Sequence, residues 1–147
     1  MFVSITRLHL RSLRFLPPFL WITEKSARQL LTEPGFRGGK LLIAAPREFW
    51  TVTVWDDENS MREYRAAGAH LQAMGKLTHW CDEASVAHWA QETDAASDWE
   101  TVRRCMVENG RRSKVNHPSE RHSANPWIVP QPRWHLERNL KPRLKQP

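Results

Sequence analysis

Phe49-Trp-Thr-Val-Thr-Val-Trp55, followed by Asp56-Asp-Glu-Asn-Ser-Met-Arg-Glu-Tyr64, Gly68-Ala-His70 and Ala84-Ser-Val-Ala-His-Trp89, decides the fold. The first run is rich in β-branched and aromatic residues and reads as a strand. Asp56 or Asp57 then caps a helix whose inward side is Met61 and Tyr64. Gly68 breaks that helix, residues 69–80 resume it, and residues 83–89 alternate as another strand.

Working outward, Phe2-Val-Ser-Ile-Thr-Arg-Leu8 alternates apolar and polar residues, the pattern of a first strand. Pro17 and Pro18 suit the first turn of a helix, where a missing N–H costs nothing. Leu20, Ile22, Ala27, Leu30 and Leu31 give that helix a stripe, and Glu33-Pro-Gly35 stops it. Residues 36–44 form a second strand, bulged at Gly38-Gly39, and Ala45-Pro-Arg-Glu48 turns it into the third. Ser97-Asp-Trp-Glu100 is a capping box opening a further helix, with Trp99, Val102 and Met106 on one face and Asn109-Gly110 at its end.

The order β-α-β-β-α-β predicts an α+β ferredoxin-like domain over residues 1–92, an added helix over 93–110 and a tail over 111–147. Trp50, Val52 and Val54 alternate with Phe49, Thr51, Thr53 and Trp55, so the third strand is apolar on both faces. Two helices cover one face of such a sheet. The other then calls for a second sheet, and the expectation is a homodimer closed sheet to sheet as an α/β barrel.

The 147 residues allow one core of ordinary size. Residues 1–109 carry 13 Lys/Arg against 14 Asp/Glu, whereas residues 110–147 carry 9 against 2, so the net charge of +6 belongs to the tail. With six of the ten prolines, that tail is expected to be largely extended or disordered, with Trp127 and Trp134 able to dock it. Nucleic acid is an unlikely partner, reachable only through residues 111–147. Pro17-Pro18 interrupts the one apolar run of the N-terminus, so no membrane span is expected. Cys81 and Cys105 show no metal spacing and no disulfide framework, which suits a cytoplasmic setting. Phosphate loops, dinucleotide fingerprints and nucleophile elbows are absent from the sequence.

The runs from Phe49 to Trp89, with Leu10-Arg-Ser-Leu-Arg-Phe-Leu-Pro-Pro-Phe19, resemble the dimeric α/β-barrel superfamily of antibiotic-biosynthesis-type monooxygenases, near a branch resembling spheroidene monooxygenase. Haem-degrading relatives carry a Trp-ended strand, an acidic helix with an aromatic, and then Ala-His. Val54-Trp55, Tyr64 and Ala69-His70 follow that order, although residues 2–9 lack the Asn of the haem-degrading type. The resemblance implies a monooxygenase-like activity on a small apolar or aromatic organic molecule. His70 is the implied catalytic residue, and the haem ligand if haem is the cofactor. Trp55, Tyr64 and Met74 would shape the pocket, with strand hydroxyls such as Ser4 and Thr53 orienting the substrate. The rival reading is a non-catalytic dimeric ligand-binding protein whose basic tail contacts an acidic partner.

Overall fold

The structure, a computed structural model, describes residues 1–132 and 136–143; Trp134 lies outside them. Strands β1 (Phe2–Leu10), β2 (Phe36–Ala45), β3 (Glu48–Trp55) and β4 (Cys81–Ala90) alternate with helices α1 (Leu16–Leu30), α2 (Glu58–Arg65) and α3 (Gly68–Trp80). Beyond them come α4 (Trp99–Asn109), β5 (Arg111–Arg112), α5 (Glu120–Ser123) and β6 (Leu136–Leu140). All six strands pair antiparallel in the order β5-β4-β1-β3-β2-β6. The central four keep the expected ferredoxin-like arrangement, and the segment after Gly110 adds one strand to each edge. That segment, for which composition suggested extended or disordered chain, protects two edges that would otherwise expose unpaired backbone groups.

Local chemistry accounts for the boundaries. Asp57 caps α2 by accepting the Ser60 N–H at 2.8 Å. Asp98 rather than Ser97 caps α4, its carboxylate taking the Thr101 N–H at 2.8 Å. The buried side of α1 is Phe19, Ile22, Ser26, Ala27 and Leu30, so Leu20, expected in the stripe, points outward. The start of α1 at Leu16 sets this phase.

Cross-strand register divides the sheet into two faces. Ser4 pairs with Thr53 and His88, and Thr6 with Thr51 and Val86, on the face beneath α1, α2 and α3. Val3, Ile5, Trp50, Val52, Val54 and Ala87 lie on the opposite face. That second face was expected to need another subunit's sheet. Instead α4 covers it with Trp99, Val102 and Met106, joined by Val129. Trp50, Val52 and Val54 are fully buried within the single chain. The apolar area that was expected to drive a sheet-to-sheet dimer is thus already out of water within the single chain.

Glu137 of β6 accepts the indole N–H of Trp99 at 2.8 Å, which pins α4 across the strands. At the end of α4, a Cβ on Gly110 would sit 2.1 Å from the Met106 carbonyl and 2.9 Å from Trp127, so only glycine lets the chain turn there. None of the described helices is long and apolar enough to cross a membrane.

The same face buries one charged cluster. Arg7, 2% exposed, donates from Nε to Glu48 at 2.6 Å and from Nη1 to Glu83 at 2.8 Å, tying β1 to both neighbours. Glu83 also accepts from Ser119 at 2.9 Å and Arg121 at 2.8 Å, so the tail closes over the ion pair. Burial alone would raise the Glu83 pKa, but the Arg121 and Arg7 hydrogen bonds outweigh it and hold the carboxyl at about 2.

Two outcomes are expected. Cutting the chain after residue 92 uncovers Trp50, Val52 and Val54, so the short form self-associates while the full chain sediments as a monomer; light scattering on both checks this. The Glu83 carboxyl is depressed on folding, so its contribution is complete above the ordinary value of 4.5 and disappears as pH falls toward 2. Glu83→Gln should lose about 3 kcal/mol at pH 7, because the buried Arg7 keeps only Glu48 of its two carboxylates, and should flatten the acid limb of denaturant titrations.

Candidate active-site pocket

A cavity runs between the first sheet face and helices α1 to α3. One lobe of about 520 Å³ lies under α2 and α3 and is lined by Ser4, Thr6, Thr51, Thr53, Trp55, Tyr64, His70 and Met74. A second lobe of about 390 Å³ lies under α1 and shares Thr6, Leu8, Thr51, Tyr64, His70 and Leu77 with the first. Both volumes suit a small organic ligand. All six residues proposed from sequence as catalytic or pocket-forming line the larger lobe.

The floor is polar in one strip. Ser4 faces Thr53 and Thr6 faces Thr51 across β1 and β3, which places four hydroxyls side by side on one surface. Thr53 is occupied: its Oγ1 accepts the Trp55 indole N–H at 2.9 Å and donates to the Ser4 carbonyl at 3.4 Å. Thr53 thus fixes the buried Trp55. Tyr64 packs beside that indole with ring centres 5.4 Å apart, and its hydroxyl donates to the Ser26 carbonyl at 3.1 Å. Burial, then the charge of Glu33, raises the phenol pKa, so Tyr64 stays protonated and shapes the wall through its ring.

His70 sits in the first turn of α3, 4.6 Å from the Tyr64 ring centre. Gly68 makes the turn before it at φ 57°, and a Cβ there would meet Gln29 Oε1 at 2.8 Å. Gln29 then accepts the His70 backbone N–H at 3.1 Å while its amide donates to the Ala67 carbonyl at 3.2 Å. One amide side chain on α1 therefore holds the loop that presents the imidazole. His70 Nδ1 lies 3.4 Å from the Arg65 carbonyl, an acceptor that selects the tautomer protonated at Nδ1 and leaves Nε2 with its lone pair. Burial lowers the His70 pKa, outweighing the Arg65 carbonyl, so the ring is neutral at pH 7.

Of the other candidate tryptophans, Trp50 packs on the opposite face, Trp80 stacks on Phe15, and Trp21 is 67% exposed. The sequence left the direction of His88 open, and it lines the larger lobe. Gln29 and the basic group at the lobe's edge, Arg65, Arg111 and Lys114, gave no signal in the sequence, because their roles depend on elements distant along the chain. Elsewhere among the described residues, His9, Asp82 and Glu83 bring ligand-type atoms within 4.8 Å of one another. Glu83 is already held by Arg7 and Arg121, and His9 Nδ1 sits 2.5 Å from Asp82, so this cluster is an ion-pair network. Burial, then Asp82, pushes the Cys81 thiol up to about 12, which leaves it unreactive at neutral pH.

The neutral state of His70 is measurable. Its imidazole should titrate by NMR below 6.5, and lowering pH through that value should cost stability, since the unfolded chain takes the proton first. His70→Gln should remove that part of the pH dependence.

The antibiotic biosynthesis monooxygenase family model matches residues 19–76, which include most of α1, β2, β3, α2 and most of α3. A Nitrosomonas europaea protein of the antibiotic biosynthesis monooxygenase type superimposes with TM-score 0.58 at 17% identity, over 63% of this chain and 100% of that one. A Mycobacterium tuberculosis structure does so with TM-score 0.57 at 16% identity, over 64% and 97%. SnoaB, a cofactor-independent oxygenase from Streptomyces nogalater, gives TM-score 0.51 at 17% identity, over 63% and 93%. Comparison with curated proteins finds no match. The resemblance read from the sequence therefore holds: this chain carries the ferredoxin-like fold of the antibiotic biosynthesis monooxygenases and matches their family model over the segment that carries Trp55, Tyr64 and His70.

Proposed function

We propose that the chain is a monooxygenase-like enzyme acting on a small apolar or aromatic organic molecule held in this cavity, with the single chain as the functional unit. One observation carries the reading: a neutral His70, with Nε2 free, stands where two apolar lobes meet over a strip of hydroxyls. Such an imidazole can take a proton from an acidic O–H or C–H of an electron-rich substrate. The anion so formed is the reductant that dioxygen requires. Ser4, Thr6 and Thr51 orient the substrate, while Trp55, Tyr64 and Met74 hold its apolar body. The family match over residues 19–76 supports this direction. The free thiols of Cys81 and Cys105 suit a reducing, cytoplasmic setting.

Haem is the cofactor that the resemblance raises, and His70 fits it at the donor atom, a neutral nitrogen beside an apolar cavity. Bound there, haem would supply oxygen activation at iron, and the chain's part would be ligation by His70 and exclusion of water by Trp55, Tyr64 and Met74.

The rival role for the basic tail is contact with an acidic partner. Two of the tail's nine Lys/Arg are paired with carboxylates of the body, Arg121 with Glu83 and Arg138 with Glu24 at 2.7 Å.

Oxygen uptake with 1,5-dihydroxynaphthalene as substrate tests the reading, alongside a haemin titration followed in the Soret region. His70→Ala should lower uptake by about 10²-fold or more without unfolding the chain. A saturable one-to-one Soret band lost in His70→Ala would assign the cofactor-dependent form. Ligand binding with no oxygen uptake in either setting would make the cavity a binding site and end the enzyme reading.

A further inference from the structure

The larger lobe opens into a cleft between α2 and the β4–β5 edge, lined by Met61, Arg65, Met74, His88 and Arg111, all of which also line the lobe. This mouth is cationic. Arg111 reaches it because β5 pairs with β4 in a register that sets Arg111 opposite Val86, on the face that carries His88. Arg112, the next residue, points to the other face and lies over the Trp127 ring at 5.3 Å. The two-residue strand thus turns its two side chains to opposite faces, and of the two only Arg111 also lines the cleft at the mouth.

The acid nearest this mouth is already taken. Glu58 is held by Arg62 at 2.7 Å. Among the described residues, neither Arg65 nor Arg111 forms an ion pair, although most other arginines facing carboxylates do. Two guanidinium groups therefore stand exposed at the rim of a largely apolar cavity, and among the described residues the one carboxylate lining the cleft, Glu58, is paired with Arg62 instead. His88 lines the same cleft as these arginines, and burial, followed by Arg111, lowers its pKa, with Glu58 opposing and Arg65 and Arg62 adding to the shift. Arg111 lies outside the stretch that matches the family model, so this feature comes from the segment that the chain adds to the shared fold.

We propose that the ligand of this cavity is an acid: an apolar or aromatic body seated against Trp55 and Tyr64, with a carboxylate docked at Arg65 and Arg111. The inference rests on the cavity reading above and adds the ligand's charge. A guanidinium presents paired donors in the geometry of a carboxylate, and at the edge of an apolar pocket that pairing is weakly screened. The carboxylate end fixes which end of the molecule reaches His70, since the mouth lies on the α2 side and the imidazole between the lobes.

The test compares 2-naphthoate with its methyl ester, by fluorescence titration of the full chain at pH 7.5 and two salt concentrations, against an Arg65→Gln/Arg111→Gln double variant. Both arginines are exposed and without ion pairs, so the variant should melt with the wild type. The wild type should bind the acid about ten-fold more tightly than the ester at low salt, with the gap narrowing as salt rises. In the double variant the acid's advantage should vanish while the ester's affinity stays unchanged. Equal binding of acid and ester by the wild type, or a preference that survives in the variant, would overturn the inference while leaving the cavity reading intact. Failure of both probes to bind would overturn the two together.

Discussion

A sheet that is apolar on both faces has to be covered twice, and here one chain of 147 residues supplies both covers. The first cover, α1 to α3, comes from the ferredoxin-like repeat itself. The second, α4 with Val129, comes from the segment after the repeat. Because Trp50, Val52 and Val54 are buried against that segment, the core of the protein depends on residues beyond the ferredoxin-like repeat. Trp99 joins the two requirements, filling the second core while its indole N–H reaches Glu137 on β6.

Covering the second face internally changes the electrostatics as well. Arg7 points into that core and survives there only because Glu48 and Glu83 meet it from adjacent strands. Arg121 and Ser119 then close the remaining lone pairs of Glu83. The tail's positive charge, which in isolation suggests a polyanion partner, is in this way partly spent on holding the tail to the body.

On the first face the helices stand off the sheet far enough to leave two joined lobes. The gap is kept polar at the floor by the β1 and β3 hydroxyls and is walled by Trp55 and Tyr64, each fixed by a hydrogen bond of its own. His70 owes its position to Gly68 and Gln29 more than to its own helix, since the backbone of that first turn is held from α1. A site built on such locked supports has little freedom to lose when a ligand enters.

The sequence by itself determined the strand and helix order of residues 1–110 and the glycine break before His70, and it singled out Ser4, Thr53, Trp55, Tyr64, His70 and Met74, which line one lobe of the cavity. Periods of 2 and 3.6 residues are local properties, and a strand residue's face follows from its parity. The phase of α1 was less legible, and Leu20 was placed inward because a stripe of apolar letters does not say where the first turn begins. Only the tertiary structure decided what covers the second sheet face, where Arg111 points, and that Gln29 holds the His70 turn. Those facts join residues distant along the chain, Gln29 and His70 being 41 positions apart, and composition suggested chain without packing where β5 and β6 pair with the sheet edges. A polar, Pro-rich segment is ordered by the surface it lies on, and that surface exists only once the sheet has formed.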